Sequence, residues 1–425
     1  MSKKTIKSQH TSHTQVKSHE EYPDSIAKGK NFPYQFWRNK PVTKFDELSL
    51  SSENIEEDLS KRKVYGTDNS VKLPESMKWV TVDLNNKSMV ENVIQFLKLY
   101  YIVDVKNKFK LDYSPEFIKW VLGPDGIMIA IVTKDTNTMC GIVGTSFKTI
   151  TVFEKTERFA VVNFLCSHPI YRKKRIAFTL IDEIVRRIVK TGVHQGCFTT
   201  ERCVPTPTSV IRYYHRPLNY IKLQKFGFTE VGGNPEKVQE KFNIKGTVSS
   251  SYKRMEDSHI FSVTKLYKSF VSRFNIFCNY TEDDMKKLLL NNEYVKSYVV
   301  IENEKVIDFV SYYLLPYFMD NTEDKINAAY MFLYSCNNVA GGEMLDNVLK
   351  ILFAEGIDVF NVTDTSSSSD ILMTKDLNND EDSDVESYEH VYEHKFLKGS
   401  GKLHFNFFNW KCPIVKSKQI SWVAF

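Results

Sequence analysis

The sequence has 425 residues, of which 42% are hydrophobic and 26% are charged, and its 57 basic and 52 acidic residues leave a net charge of +5. The length predicts two or three domains or two fused halves, and the composition is typical of a globular protein. The charge is too balanced to indicate a nucleic-acid binder by itself. No stretch reaches the roughly 20 apolar residues of a membrane span, and the N-terminus lacks the apolar core of a secretory signal.

The number and spacing of the cysteines exclude two further classes of protein. There are seven of them, an odd number, widely spaced and without a C-x-x-C pair. This pattern argues against a disulfide framework and against a structural zinc site. We therefore expect a protein of a reducing compartment, the cytoplasm, with mostly buried thiols.

Residues 1–30 are polar and contain six lysines, which predicts a flexible basic arm. Residues 31–245 alternate helical and strand patterns, as in an α/β protein. A helix, three strands and a second helix are expected in this N-terminal half at Val90–Tyr101, Gly126–Thr133, Cys140–Phe147, Phe159–Cys166 and Ile176–Lys190. The last helix has the clearest pattern, because its apolar residues repeat every four positions from Ile176 to Ile188.

Residues 246–425 have the same style and predict a C-terminal half of similar size. Strands are expected at Tyr298–Ile301, Asp308–Leu314 and Val359–Val362, and a helix at Leu345–Ala354. Two mixed α/β halves suggest an internal duplication. The pattern breaks at 363–393, where residues 376–393 carry eight acidic residues and no Lys or Arg. We interpret this segment as an exposed, mobile acidic insertion.

A basic turn lies between a strand and a helix in the N-terminal half. The strand ends near Cys166, and Arg172, Lys173, Lys174 and Arg175 directly precede the helix that opens at Ile176. Helix N-termini offer free amide donors and partial positive charge, so four cations there favour a diphosphate. The alternative for the turn by itself is a solvated basic loop.

The residues around this turn carry a resemblance to a known family. The run Asn163-Phe164-Leu165-Cys166, followed by His168 and Arg172–Ala177, resembles protein N-myristoyltransferase. Other segments match its motifs in the same order, from residue 31 to residue 425: Tyr34-Gln35-Phe36-Trp37, Asp112–Phe117, Arg212–Arg216, Asp308–Pro316 and Asn409–Pro413.

The resemblance implies a fold and an activity. The fold is α/β (α+β), with two fused acetyltransferase-like (GNAT) halves related by pseudo-twofold symmetry around a mixed central sheet flanked by helices. The activity is transfer of myristate from myristoyl-CoA to an N-terminal glycine amine by direct attack on the thioester, without a metal. The expected partners are Gly-initiated protein N-termini, with nascent chains at the ribosome as a candidate source, and the expected enzyme is a monomer without nucleic acid.

Site residues carry over from the same resemblance. The amides of Phe164 and Leu165 would form the oxyanion hole, Thr199 and Asn163 would lie beside the glycine amine, and the main-chain carboxylate of Phe425 would accept its proton. The implied acyl-CoA contacts are Tyr34, Gln35, Phe36, Trp37, Phe164, Leu165, Cys166, Ser167, Arg172, Lys173, Lys174, Arg175, Ile176 and Ala177. The implied peptide contacts are Asp104, Phe109, Tyr113, Glu201, His215, Ser311 and Gly399.

Several positions depart from the family pattern. The family's acidic peptide-contacting loop retains only Asp104 and gains two lysines, another acid is lost at Ser400, and Glu201 replaces a glycine. Lys173 and Phe178 replace Ser and Pro at the basic turn. We therefore expect an acceptor preference that depends less on a substrate lysine. Two other functions stay open from sequence: an acyl-CoA-binding homologue with lost or altered transfer, and an acetyl-CoA-dependent acetyltransferase.

Overall fold

The structure is a computed structural model that describes residues 35–44, 47, 49–102, 109–201, 206–228, 234–290, 293–319, 324–366 and 394–422. The predicted basic arm, and all of the predicted acidic insertion beyond residue 366, lie outside the described residues.

Within the described residues, the first part of the chain has five α-helices: α1 (Gln35–Arg38), α2 (Lys87–Tyr100), α3 (Pro115–Leu122), α4 (Ile176–Val189) and α5 (Tyr220–Lys225). Its strands are β1 (Glu53–Asn54), β2 (Met77–Thr81), β3 (Phe109–Leu111), β4 (Ile127–Thr133), β5 (Met139–Val152), β6 (Lys155–Ser167), β7 (Gly196–Thr200) and β8 (Ser209–Pro217).

The second part adds α6 (Pro235–Phe242), α7 (Ile260–Val271), α8 (Glu282–Leu289) and α9 (Gly341–Ala354). Its strands are β9 (Tyr252–Arg254), β10 (Ile276–Cys278), β11 (Val295–Glu302), β12 (Lys305–Leu314), β13 (Tyr317–Met319), β14 (Lys325–Ile326), β15 (Ala328–Ser335), β16 (Val359–Thr363), β17 (Leu397–Phe408) and β18 (Trp410–Lys411). The predicted boundary near residue 245 falls between α6 and β9.

One mixed sheet of thirteen of these described strands runs through both halves. Its order is β2-β4-β5-β6-β7-β17-β8-β16-β15-β12-β11-β9, with β10 paired to β5. In each half, two parallel neighbours are joined by a crossover helix: β6 and β7 by α4, and β15 and β16 by α9. Counted inward from either edge of the sheet, the parallel pair therefore occupies the same position, which agrees with the predicted pseudo-twofold arrangement.

The two halves exchange a strand at the centre of this sheet. Strand β8, from the first half, pairs with β16 of the second, and β17, from the second, pairs with β7 of the first. Strands β8 and β17 also pair with each other. Because each half completes the other's ladder, neither half has a separate sheet.

Helix α4 shows why the site can form where it does. Its residues Ile176, Leu180, Ile184 and Ile188 are buried against β4 and β5, as their four-residue spacing predicts. A Cβ atom at Gly141 would lie 2.9 Å from side-chain atoms of both Ile176 and Leu180, so the helix approaches β5 closely here. Burial of each large aliphatic side chain contributes about 2 kcal/mol to this packing.

The hairpin of β5 and β6 is longer than the sequence patterns predict. The ladder runs from Gly141 paired with Ser167 to Val152 paired with Lys155. The four residues Lys155–Arg158 are exposed and polar, so they lack the alternation that marks a half-buried strand. Their strand conformation comes from pairing across the hairpin. Within the described residues, no helix has both the length and the apolar character needed to span a membrane.

Candidate active site

The site begins where β6 and β7 separate. The two strands pair in parallel only at Ala160–Val161 with Gly196–Cys197, while β6 continues to Ser167 and β7 continues beside β17. Residues beyond this short pairing line a cavity of about 820 Å³. That volume lies in the range of about 300–1,000 Å³ that is usual for small-molecule sites.

One end of the cavity is apolar. Helix α4 contributes Ile181, Ile184, Val185, Ile188 and Val189, whose spacing of three and four residues places them on one helical stripe. The apolar lining also includes Leu59, Val162, Val193, Phe198 and Phe408. A wall of this composition favours an alkyl chain, because each buried CH₂ contributes about 0.8 kcal/mol.

A β-bulge lies in the wall of the same cavity. Gly144 pairs with Asn163 and Ile142 pairs with Cys166, so Phe164 and Leu165 oppose a single residue of β5. Phe164 has φ of 57°, which is left-handed and uncommon outside glycine. The bulge takes the Phe164–Leu165 pair out of the regular ladder.

Two aromatic rings hold the bulge in place. The Phe164 ring packs on Tyr101 and Tyr113, with centroid distances of 6.0 and 5.7 Å. The Phe164 backbone is also hydrogen-bonded to the Tyr101 hydroxyl. Burial, with this bond as a smaller opposing effect, raises the pKa of Tyr101 to about 12.

Asn163 and Cys166 flank the bulge and have different chemistry. Asn163 is 4% exposed, and neither atom of its amide has a hydrogen-bond partner among the described residues. A buried amide of this kind points to a ligand or solvent partner. Burial raises the pKa of the Cys166 thiol to about 12, so the thiol stays protonated and is a poor nucleophile.

The predicted basic turn lies at the edge of the cavity. Arg172, Lys173, Lys174 and Arg175 are all exposed, and Arg172 lines the cavity. Lys173 and Arg175 have φ of 69° and 62°, and no side chain caps α4 within the described part of the chain. Uncapped amides and four cations make this helix N-terminus suited to an anion.

Two aromatic residues of α1 reach the same region. The Phe36 ring stacks on Phe178 at a centroid distance of 4.3 Å, and the Trp37 ring stacks on Phe198 at 5.7 Å. Trp37 lines the cavity. Gln35 begins α1, whereas Tyr34 lies outside the described residues.

The other end of the cavity is aromatic and hydroxyl-rich. It is lined by Tyr113, Tyr213, His215, Tyr313, Tyr317 and Tyr330. His215 Nδ1 and Asn361 Oδ1 are hydrogen-bonded at 2.6 Å. Burial outweighs this bond and lowers the pKa of His215, so its imidazole is neutral at neutral pH.

The structure brings eleven of the predicted site residues to this one cavity. Its lining includes Trp37, Tyr113, Asn163, Phe164, Leu165, Cys166, Ser167, Arg172, Thr199, Glu201 and His215. Among the predicted acyl-CoA contacts, Ile176 is instead a core residue against Gly141. Asp104 and Phe425 lie outside the described residues.

Three predicted peptide contacts lie elsewhere in the structure. Ser311 is fully buried away from the cavity lining, and its hydroxyl donates to Leu333 O and accepts from Leu333 N, at the irregularity between β12 and β15. Phe109 packs behind the wall, with its ring 6.5 Å from Tyr317. Gly399 supports His215, because a Cβ there would lie 2.8 Å from His215 Nε2.

The sequence patterns missed the tyrosine wall. The second half contributes Tyr313, Tyr317 and Tyr330 from β12, β13 and β15, and the exchanged strand β8 adds Tyr213. The one available signal was abundance, since the chain contains 22 tyrosines. No group of three His, Cys, Asp or Glu side chains suited to a metal ion occurs in the part of the chain that the structure describes.

Comparison with known proteins identifies the class. Residues 54–211 match the family model "Myristoyl-CoA:protein N-myristoyltransferase, N-terminal domain", and residues 225–422 match that of the C-terminal domain. The chain is 31% identical over 405 residues to a Kluyveromyces lactis glycylpeptide N-tetradecanoyltransferase, covering 89% of this chain and 86% of that protein. It is 30% identical over 415 residues to a probable glycylpeptide N-tetradecanoyltransferase of Caenorhabditis elegans, covering 94% and 88%.

A solved structure confirms the fold. Saccharomyces cerevisiae N-myristoyltransferase with bound myristoyl-CoA superposes with a TM-score of 0.82 at 24% identity, covering 92% of this chain and 99% of that one. The protein is thus an acyltransferase with the predicted fold of two fused halves. The chain belongs to the myristoyl-CoA:protein N-myristoyltransferase family, which confirms the resemblance drawn from its motifs.

Proposed function

We propose that the 820 Å³ cavity is where this chain carries out the reaction of its family. That reaction transfers myristate from myristoyl-CoA to the N-terminal glycine amine of a protein. The observation that carries the proposal is the position of the Phe164–Leu165 bulge in the cavity wall, together with an alkyl-suited end and a polar aromatic end. Donor and acceptor can therefore meet beside preset backbone amides.

The bulge would stabilise the charge that develops during transfer. As the amine nitrogen attacks the thioester carbon, the carbonyl oxygen becomes negative; collapse then breaks the C–S bond and releases the coenzyme A thiolate. Backbone N–H groups aimed at that oxygen lower the barrier, and removal of one such donor typically costs about 3–4 kcal/mol.

The donor would lie along the first half of the molecule. Its acyl chain would fill the apolar end against α4, and its diphosphate would bind the basic turn at the start of the same helix. Both sites are thus on one rigid element, which sets the distance between chain and diphosphate. Trp37 would cover the donor from α1.

The acceptor would enter through the tyrosine-lined end. Thr199 and Asn163 line the cavity near the bulge and can hydrogen-bond the glycine amine. An α-amine has a pKa of about 8, so at neutral pH roughly a tenth is already the free nucleophile.

The proton acceptor in this proposal is the main-chain carboxylate of Phe425. The described chain supports it indirectly. Ser421 and Trp422 line a small cavity of about 70 Å³ whose wall includes Tyr213, Tyr313 and Tyr330, three residues that also line the large cavity. Appending residues after Phe425 should abolish transfer while leaving myristoyl-CoA binding intact; transfer that survives the extension would refute this assignment.

The charge of the acceptor end supports a shifted peptide preference. Among the described lining residues, Glu201 is the one carboxylate, and Lys402 adds a cation. Glu201 is exposed, and a solvated pair with a substrate lysine would contribute about 0.2–1 kcal/mol. We therefore propose acceptors that depend only weakly on a lysine.

One assay tests both parts of this proposal. Transfer from myristoyl-CoA is measured with Gly-initiated peptides that differ only by Lys or Gln downstream, with an Ala-initiated peptide as the control. We expect transfer only to the Gly peptides, and kcat/KM values within about fivefold of each other, the factor that a solvated ion pair allows. Binding without transfer would contradict the proposed reaction, and a much larger lysine preference would contradict the proposed specificity.

The cellular setting is also part of the proposal. We propose a cytoplasmic monomer that acts on nascent protein N-termini. Five cysteines support a reducing compartment, because the structure buries them as thiols: Cys140, Cys166, Cys197, Cys278 and Cys412.

A further inference from the structure

Phe178 contacts both elements that flank the proposed donor site. It occupies the third position of α4, directly after the basic turn. One side of its ring stacks on Phe36 of α1, with centroids 4.3 Å apart and planes at 15°. The guanidinium carbon of Arg175, in the basic turn, lies 5.8 Å from the centroid of the same ring.

Phe36 belongs to a segment, residues 35–44, that we call the N-terminal strap. Lys40 anchors the strap through an ion pair with Asp182 of α4, and Lys40 Nζ also donates to the Tyr65 hydroxyl at 3.2 Å. Trp37 anchors it through the stack on Phe198. Phe178 adds the contact that joins the strap to the start of α4.

A purely structural role explains this ring poorly. Phe178 is 36% exposed and belongs to none of the three buried apolar clusters of the described residues. Lys40 Nζ lies 4.6 Å from the Phe36 centroid, so cations lie at both ends of a continuous stack of two rings. The arrangement orders two binding elements that would otherwise carry long, mobile side chains.

We propose that Phe178 is a positioning residue of the donor site. Its ring holds the strap over α4 and holds the Arg175 guanidinium beside the helix N-terminus, where both can contact the coenzyme A part of the donor. This inference rests on the proposed function. It also gives a physical role to a position at which the chain departs from the family pattern.

The test compares Phe178→Ala, Phe178→Trp and wild type in the full-length protein. We expect Phe178→Ala to raise the KM for myristoyl-CoA and the dissociation constant of coenzyme A itself about 5- to 30-fold, the combined effect of one aromatic pair and one cation–π contact. Because saturating donor restores the arrangement, kcat should change less than twofold. Phe178→Trp keeps a stacking ring and should restore both constants to within about threefold of wild type.

Phe261→Ala is the matched control. Phe261 is a more exposed phenylalanine, at 67%, on α7 of the other half. We expect it to leave the KM for donor and the coenzyme A affinity unchanged. Thermal unfolding of all variants separates loss of positioning from loss of structure.

The outcomes are distinct. An unchanged coenzyme A affinity in Phe178→Ala overturns the proposal, and so does a loss that Phe178→Trp fails to restore. A fall in kcat with unchanged KM would also overturn it, because Phe178 would then act on the reaction step. If wild type binds coenzyme A but transfers nothing, the proposed function fails, while the coenzyme A affinities still decide the role of Phe178.

Discussion

The two crossover units of the molecule share an architecture and differ in one turn. Each consists of a strand, a turn and a crossover helix: β6 leads to α4, and β15 leads to α9. In the first unit the turn is exposed and cationic from Arg172 to Arg175. In the second unit the corresponding turn contains no basic residue from Cys336 to Ala340.

A buried carboxylate occupies the second turn. Asp308 of β12 is fully buried, and it accepts hydrogen bonds from the Ser335 hydroxyl and from the N–H groups of Asn337, Asn338 and Val339, at 2.7–2.9 Å. The second turn therefore holds the protein's own carboxylate, whereas the first turn is cationic and exposed. Because only the first turn presents free cations, a fold of two similar halves would bind one donor.

The largest expected effect concerns this internal anion. Asp308→Ala removes the acceptor of four donors, two of them on the buried residues Ser335 and Val339, so we expect the free energy of unfolding to fall by about 3–5 kcal/mol. Urea denaturation measures the change, and Asp283→Ala, which removes an exposed i,i+4 ion pair with Lys287, serves as control with an effect below about 0.5 kcal/mol. A loss below about 1 kcal/mol for Asp308→Ala would contradict the proposal that this carboxylate stabilises the second turn.

Substitutions in the basic turn should have the opposite effect: they should weaken ligand binding and leave stability unchanged. Replacement of Lys173 and Lys174 by Ala should weaken coenzyme A binding about 10- to 100-fold, since each charge-assisted contact to a phosphate is strong. Stability should change by less than about 0.5 kcal/mol because both side chains are exposed. Titration calorimetry at two salt concentrations provides the measurement, with a flatter salt dependence in the variant. Wild-type affinity in the variant would contradict a diphosphate site here.

A smaller effect on stability, a dependence on pH, is expected from the neutral imidazole of His215 at the acceptor end of the cavity. Burial lowers its pKa in the folded state, so the unfolded state takes up the proton first as pH falls. Stability should be constant above about pH 7 and fall below about pH 6.5, by at most about 1.4 kcal/mol per pH unit for this group. His215→Gln should reduce that slope in urea denaturation between pH 7 and pH 5. His404 shifts in the same direction and supplies a residual slope, so an identical slope in the variant is the contradicting result.

Features that depend on residues close together in the sequence were predictable, and features that depend on distant residues were not. The helix at Ile176 and the basic turn before it were predictable, because periodicity and helix-terminus chemistry are local. The family motifs supplied the residues around Phe164. The bulge was not predictable from pattern, because Phe164 takes a left-handed φ without the glycine that would signal it.

The pairing of strands that lie far apart in the sequence was not predictable either. The exchange of β8 and β17 depends on pairing between strands about 190 residues apart in sequence, a distance over which local patterns carry no information. The surroundings of Ser311 also depend on such long-range pairing. A serine in a strand can face a cavity or bridge an irregular ladder, and only the pairing with Leu333 decides between them.

The most direct test of the central claim measures transfer against acyl-chain length. Donors of ten to sixteen carbons are compared in wild type and in Val185→Phe, which adds bulk to the apolar end of the cavity. We expect wild type to favour the fourteen-carbon donor over the twelve-carbon donor by about 15-fold, since two CH₂ groups contribute about 1.6 kcal/mol. Val185→Phe should move the optimum to a shorter chain. An unchanged length profile in Val185→Phe would show that the acyl chain lies elsewhere.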